Sequence, residues 1–307
     1  MLRECFSPRA NVVTVRFQPR FAFTFRSIDR VARWPRAADH AEGANVRTVL
    51  ICHAGDDFDR RGLAAWLASF SELAGIVVLE ETAAQRRQRY LREYRRAGPL
   101  GMVDVVAMRV YQRLFQHKAD QAWFEDALAR LEARYGSVPR VPELHVASGG
   151  DRRVVGFLEK LKPHIVLARC KQLLPKRVYT IPRDGTFVMH PGICPEYRNA
   201  HGCFWAIAER DLERVGMTLL RIDAGVDTGP VFGHYRYDFD ERRESHAVIQ
   251  ARVVLENLDA LAAKLGEIHA GTAAPVDTSG RRSGEWGQPR LSRHLRARRA
   301  AAMVGVQ

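Results

Sequence analysis

Short apolar runs separated by polar segments of helical period dominate the chain from Val46 to Leu265. Val46–Cys52 (VRTVLIC) reads as a buried strand, and His53-Ala54-Gly55-Asp56-Asp57 breaks it. Arg60–Leu73 has helical spacing, and Gly75–Glu80 (GIVVLE) is a second strand. This strand–helix–strand order predicts parallel strands joined by a right-handed crossover. The pattern over 82–136 is helical throughout, punctuated by Pro99 and Gly101, and predicts a helical insertion. Pro142–Ala147 is a strand candidate. Asp151–Leu161 follows as a helix with Asp151 at its N-cap, and Pro163–Ala168 (PHIVLA) as a buried strand. Thr186–His190 and Met217–Ile222 add two strands, His234–Asp240 is a further candidate, and Ser245–Leu265 reads as one amphipathic helix. Together these predict an α/β fold, a mostly parallel sheet flanked by helices. The main domain covers 46–240, a C-terminal helix at 241–269 packs on it, and 270–307 is a basic tail with a short helix near Leu291–Met303.

Composition narrows this picture little. The 307 residues are 46% hydrophobic, enough for one large core or two small ones. No apolar run nears the roughly 18 residues of a membrane span. The five cysteines form no CxxC pair, which predicts reduced thiols in a cytoplasmic protein and no metal site. The formal charge of +13 is carried almost wholly by Arg. No DNA- or RNA-reading motif accompanies it, so no specific nucleic-acid partner is expected. Part of the excess lies in residues 1–45, read as a disordered basic extension. Another part, Arg86, Arg87, Arg89, Arg92, Arg95 and Arg96, reads as a solvated helix face. Oligomeric state is not legible from these features.

Candidate chemistry gathers between Thr186 and Phe232. His190 ends an apolar strand just before Pro191, and an imidazole there suits general acid–base work. Asp227 sits in a Gly-rich turn after the next strand. If the two strands pair, its carboxylate can orient the His190 ring. Each residue also has a plain structural reading, as a hydrogen-bonded core histidine and a turn aspartate. The turn after the first strand carries Asp56 and Asp57 and one glycine. It lacks the glycine-rich phosphate fingerprint, so no dinucleotide is assigned to it. Cys194 and Cys203 read as small packing residues.

His190, Pro195, Tyr197, Arg198, Gly216, Thr218, Asp223, Gly225, Asp227, Thr228 and Gly229 stand in the order and spacing of a known motif. Leu173-Leu174-Pro175 and Ile181-Pro182 match its upstream loop. The stretch resembles the folate-dependent formyltransferase domain, shared by methionyl-tRNA, glycinamide-ribonucleotide and sugar-nucleotide formyltransferases. The resemblance covers about 46–240 and is strong over 160–232. It implies a Rossmann-like sheet, 10-formyltetrahydrofolate as co-substrate and an amine acceptor. It also implies His190 and Asp227 as the catalytic pair, with Arg169, Cys170, Lys171, Leu173, Asp223 and Gly225 on the segments that wrap the folate. Gly192-Ile193-Cys194 replaces the family's Ser-Leu-Leu, Asn199 replaces the Gly after its Tyr-Arg, and a third departure bears on the chemistry. The family's Asn two residues before the His is Val188, which cannot donate a hydrogen bond to an oxyanion. Asn199 and His201 in the adjacent loop are candidates for that donor or for acceptor contacts. The acidic first turn and the short sequence after Leu265 favour a small-molecule amine over a phosphorylated or tRNA acceptor. A formyltetrahydrofolate hydrolase and a catalytically impaired folate-binding protein stay open as alternatives.

Overall fold

A computed structural model describes residues 46–304; the extension expected over 1–45 lies outside the described residues. The strands are β1 (Arg47–His53), β2 (Glu72–Leu79), β3 (Glu143–Val146), β4 (Ile165–Arg169), β5 (Gly185–His190), β6 (Arg198–Asn199), β7 (Met217–Arg221), β8 (Val231–Tyr235) and β9 (Glu285–Trp286). Seven of them form one sheet in the order β3-β2-β1-β4-β5-β7-β8. β3, β2, β1, β4 and β5 are parallel, while β7 runs antiparallel to β5 and β8 antiparallel to β7. The fold is α/β and Rossmann-like.

Helices cover both faces, which is why the central strands are continuous apolar runs. The helices are α1 (Ala64–Phe70), α2 (Ala83–Tyr111), α3 (His117–Tyr135), α4 (Arg152–Leu161), α5 (Lys176–Tyr179), α6 (Gly202–Ala208), α7 (His246–Leu255), α8 (Leu258–His269) and α9 (Leu291–Val304). Strand periodicity divides the core. Leu50, Ile76, Leu167 and Phe187 point to a layer shared with Trp66, Leu131, Val253 and Leu261. Val49, Ile51, Val77 and Val166 point to the other, closed by Val154, Leu158 and Val178. Asp151 caps α4 by accepting from the Arg153 amide at 2.9 Å.

Several boundaries differ from the sequence expectation for local reasons. The first helix is entered through a wide turn, Phe58–Leu63, before α1. The strand expected at 234–240 begins earlier, at Val231, because Thr218 pairs with His234 and draws β8 onto β7. The single helix expected at 245–265 is two helices. Asn257 separates them, its side-chain amide donating to the Val253 and Arg236 carbonyls at 2.7 and 3.0 Å. The insertion starts in a capping box between Thr82 and Gln85. It bends sharply at Gly98, where φ is 69°. The bend folds α2 back on itself, so that the Arg109 guanidinium lies 4.8 Å from the centre of the Tyr90 ring.

The basic tail expected from Ala270 is corrected by the structure, because residues 281–304 pack on the domain. β9 pairs in parallel with β6, placing Trp286 opposite Asn199. The Trp286 ring stacks on Tyr197 and Trp205, with centroids 5.6 and 4.9 Å away, and its Nε1–H donates to the Glu196 carbonyl at 2.8 Å. Arg281 grips both Glu196 oxygens at 2.9 and 2.7 Å. α9 buries Ala297 and Ala301, one turn apart on a single face. Composition looked tail-like although Arg281 and Arg293 are spent on Glu196 and Glu209, acids distant in sequence. Trp286→Ala should therefore release the C-terminal segment before the sheet unfolds. Native-state hydrogen exchange would check this: protection lost over 281–304 and retained in β1 and β4, with a global cost of about 2–4 kcal/mol.

Candidate active site

The sheet order reverses between β1 and β4, so their C-terminal ends open a crevice of the kind α/β folds use for ligands. The turn after β1 and the loop 169–175 border it. His190, at the end of β5, stands beside them.

The ring of His190 is buried and gripped from two sides. Its Nε2–H donates to the Tyr197 carbonyl at 2.7 Å, and Nδ1 lies 3.3 Å from Asp227 Oδ2. This close approach requires Gly192, since a Cβ there would sit 2.5 Å from the Tyr197 oxygen and 2.9 Å from His190 Nε2. Thr218 fixes the loop above, its hydroxyl donating to the Gly192 carbonyl at 2.7 Å and accepting from the Cys194 amide at 2.9 Å.

Asp227 has a left-handed backbone, with φ at 51°. Its turn is braced internally. Asp223 Oδ1 accepts from the Gly225 amide at 2.9 Å and from the Thr228 hydroxyl at 2.7 Å, while Arg198 donates to the Val226 carbonyl at 2.8 Å. Asp227 Oδ2 also accepts the Asn199 amide at 2.8 Å. Oδ1 makes no hydrogen bond among the described residues. The Asp227 side chain is 16% exposed against 4% for His190, so the carboxylate has the better reach toward a bound molecule.

The remaining candidates divide. Asn199 spends its side-chain amide on the Trp286 carbonyl at 2.7 Å and its backbone amide on Asp227, so it braces the site. His201 lies further along, beside Gln250 and edge-on to His246. No hydrogen bond joins it to His190 or Asp227. It borders a small cavity of about 50 Å³ with Met108, Arg109, Gln112, His246 and Gln288. Arg169 is not free to reach a ligand. Its Nε donates to the buried Asp59 at 2.9 Å and its Nη1 to the Met189 carbonyl at 2.9 Å, tying the first turn to the strand that carries His190. Burial pushes the Asp59 carboxyl up to about 6 despite the pull of Arg169. Burial likewise pushes the Cys170 thiol up to about 11, which makes it a poor nucleophile. Lys171 donates its backbone N–H to His53 Nε2 at 3.1 Å and leaves its side chain exposed. Leu173 is 72% exposed, an apolar side chain held out at the crevice.

Val188 packs with Cys194, Leu220 and Val231. On a strand it shares a face with His190, and its surroundings supply apolar contact, not a donor. Sequence reading placed Thr218 and Tyr197 in the motif without assigning them a role, and missed Trp286. Only the buried hydroxyl of Thr218, in an otherwise apolar strand, left a local signal.

With this geometry in place, comparison with known proteins is informative. The formyl transferase family model matches residues 129–264, which include His190 and Asp227. Methionyl-tRNA formyltransferase of Thermus thermophilus is 31% identical over 105 residues, covering 34% of each chain. That of Sorangium cellulosum is 38% identical over 93 residues, 28% of this chain and 30% of the relative. The chain thus spans about a third of the length of the curated relatives it matches. Among solved structures, a Shewanella sugar N-formyltransferase has a TM-score of 0.47 at 12% identity, covering 78% of this chain and 76% of its own. A phosphoribosylglycinamide formyltransferase from Anaplasma phagocytophilum has a TM-score of 0.48 at 12% identity, covering 80% of this chain and 100% of its own. The stretch that builds the His190–Asp227 site is thus the part of the chain that is similar to the formyl transferase family.

Acid sensitivity follows from the buried imidazoles. Desolvation holds His201 at about 4 and His246 well below the usual histidine value. Both are kept neutral in the fold, so the unfolded chain binds more protons below about pH 6.5. Their contribution is present above that pH and is lost as pH falls through the window toward 4. The melting temperature should hold above pH 7 and drop between pH 6.5 and 4. His201→Gln should flatten that slope in a thermal melt series.

Proposed function

We propose that the chain transfers a formyl group from 10-formyltetrahydrofolate to the amine of a small-molecule acceptor. The observation that carries this reading is the 3.3 Å approach of His190 and Asp227 inside the family-matched stretch, with Asp227 the more exposed of the two. The amine lone pair attacks the formyl carbon, forming a new C–N bond and a tetrahedral oxyanion. Asp227 Oδ1 accepts a proton from the attacking nitrogen. Collapse of the intermediate breaks the bond to N10, which takes up a proton, leaving a formamide and tetrahydrofolate. His190 acts through Asp227: it is buried, both ring nitrogens face acceptors, and it holds the carboxylate in place with the Asn199 amide. The exposed Leu173 and the braced turn 223–227 suit the faces of a folate ring. The acidic turn at Asp56 and Asp57 suits a cationic amine more than a phosphorylated one. We also propose a cytoplasmic location, supported by the free thiols of Cys52, Cys170, Cys194 and Cys203. No helix among the described residues is long and apolar enough to cross a membrane.

A second reading is favoured by Val188, whose apolar surroundings leave the oxyanion without a side-chain donor from that position. Here the chain binds the folate and transfers its formyl group slowly or not at all.

Two experiments separate these readings. Calorimetry with a folate analogue should show saturable binding; absence of binding at saturating ligand sinks both. In a formyl-transfer assay across a panel of amines, Asp227→Asn should lower turnover by about 10²-fold or more with folate binding retained. Full activity in that variant removes the assigned role. Val188→Asn should leave folate binding unchanged and raise turnover about tenfold or more if a missing donor limits the reaction; a fall in turnover would show that the valine is required.

A further inference from the structure

The second arm of α2 has two apolar sides, and the protein uses one. Val105 and Met108, each 1% exposed, face the domain. On the other side Leu100, Val103, Val106, Val110 and Leu114 are exposed to 86, 67, 47, 50 and 69%. At about 100° per residue Leu100, Val103, Val106, Ala107 and Val110 share an arc of about 120°, and Asp104 and Arg109 fall outside it; Leu114 follows α2 in the more loosely wound turn Gln112–Gln116. Two of the flanking charges are already engaged: Asp104 accepts from the Ser292 amide at 2.8 Å, and Arg109 covers the Tyr90 ring. Nothing among the described residues covers the stripe. It amounts to roughly 500 Å² of contiguous apolar surface, at the upper end of what a monomer ordinarily shows.

We propose that this stripe is the two-fold interface of a homodimer, the second arm of α2 packing antiparallel on its counterpart in a second copy. Two observations select a second copy as the occupant. The first is spacing. Leu100, Val103, Ala107, Val110 and Leu114 alternate steps of three and four residues, so the stripe presents nearly the same pattern read in either direction. An isologous interface requires such self-complementarity. The small Ala107 at its middle lets two backbones approach. The second is area. Two stripes together remove about 1,000 Å² from water before any rim contact, the level that specific interfaces clear.

Sedimentation velocity on the full chain tests this directly. The expected result is a dimer at micromolar concentration. Val106→Glu should raise the dissociation constant at least about 100-fold with far-UV circular dichroism unchanged. Should that variant fold poorly, the wild-type mass still decides, and Leu114→Lys at the more exposed end is the second test. For orientation, a Leu100→Cys chain mixed with a Leu114→Cys chain should cross-link through a short bismaleimide faster than either chain alone, with the parent chain as the control for native thiols. A monomer at every concentration overturns the proposal, whatever else then covers the stripe. A dimer indifferent to both substitutions overturns it too, and faster like-with-like cross-linking overturns the antiparallel arrangement.

Discussion

The contacts converging on Asp227 Oδ2 are the constraint on which the site depends. His190 approaches it from the end of β5 and the Asn199 amide from the following loop. Neither could do so unless Gly192 let the His190 ring, the Tyr197 carbonyl and the start of α6 crowd together. The left-handed backbone of Asp227 is tolerated because its turn is bonded from within by Asp223 and from outside by Arg198. The result is a carboxylate with one oxygen immobilised and the other without a hydrogen bond among the described residues. Such preorganisation favours charge that develops on a bound molecule, since the group need not reorganise when it accepts a proton.

A second layer holds that arrangement from below. Arg169 bridges Asp59, in the turn after β1, to the backbone of Met189, the residue before His190. Two strands that meet only through β4 are thereby locked in relative position at their functional ends. A third layer closes from the side. β9 and Trp286 clamp Tyr197 and Asn199, the two loop residues whose backbones contact His190 and Asp227. The C-terminal segment thus belongs to the architecture of the site, although it lies almost sixty residues beyond Asp227.

The parallel strands, the helical insertion and the meeting of His190 with Asp227 were legible in the sequence; the strand order was not. Apolar runs of strand length and helix-period segments report local burial, and burial of parallel strands on both faces makes those runs continuous. The two site residues were legible because each ends a strand or follows one, where side chains converge at one edge of a sheet. The roles of individual residues were less so. Arg169 and Asn199 carry polar groups suited to ligand contact, yet both are consumed by partners 110 and 87 positions away.

By itself, then, the sequence determined the class of fold, the location of the site and the substitution of valine at position 188, because these rest on local pattern and on residue identity. Tertiary structure alone decided which polar groups remain available, that the carboxylate of Asp227 is more exposed than the ring of His190, and that the Arg-rich C-terminal stretch is folded. Those outcomes depend on hydrogen bonds and ring stacking between segments far apart in the chain. Composition and periodicity record that a group is polar or aromatic, and carry no information about which distant partner satisfies it.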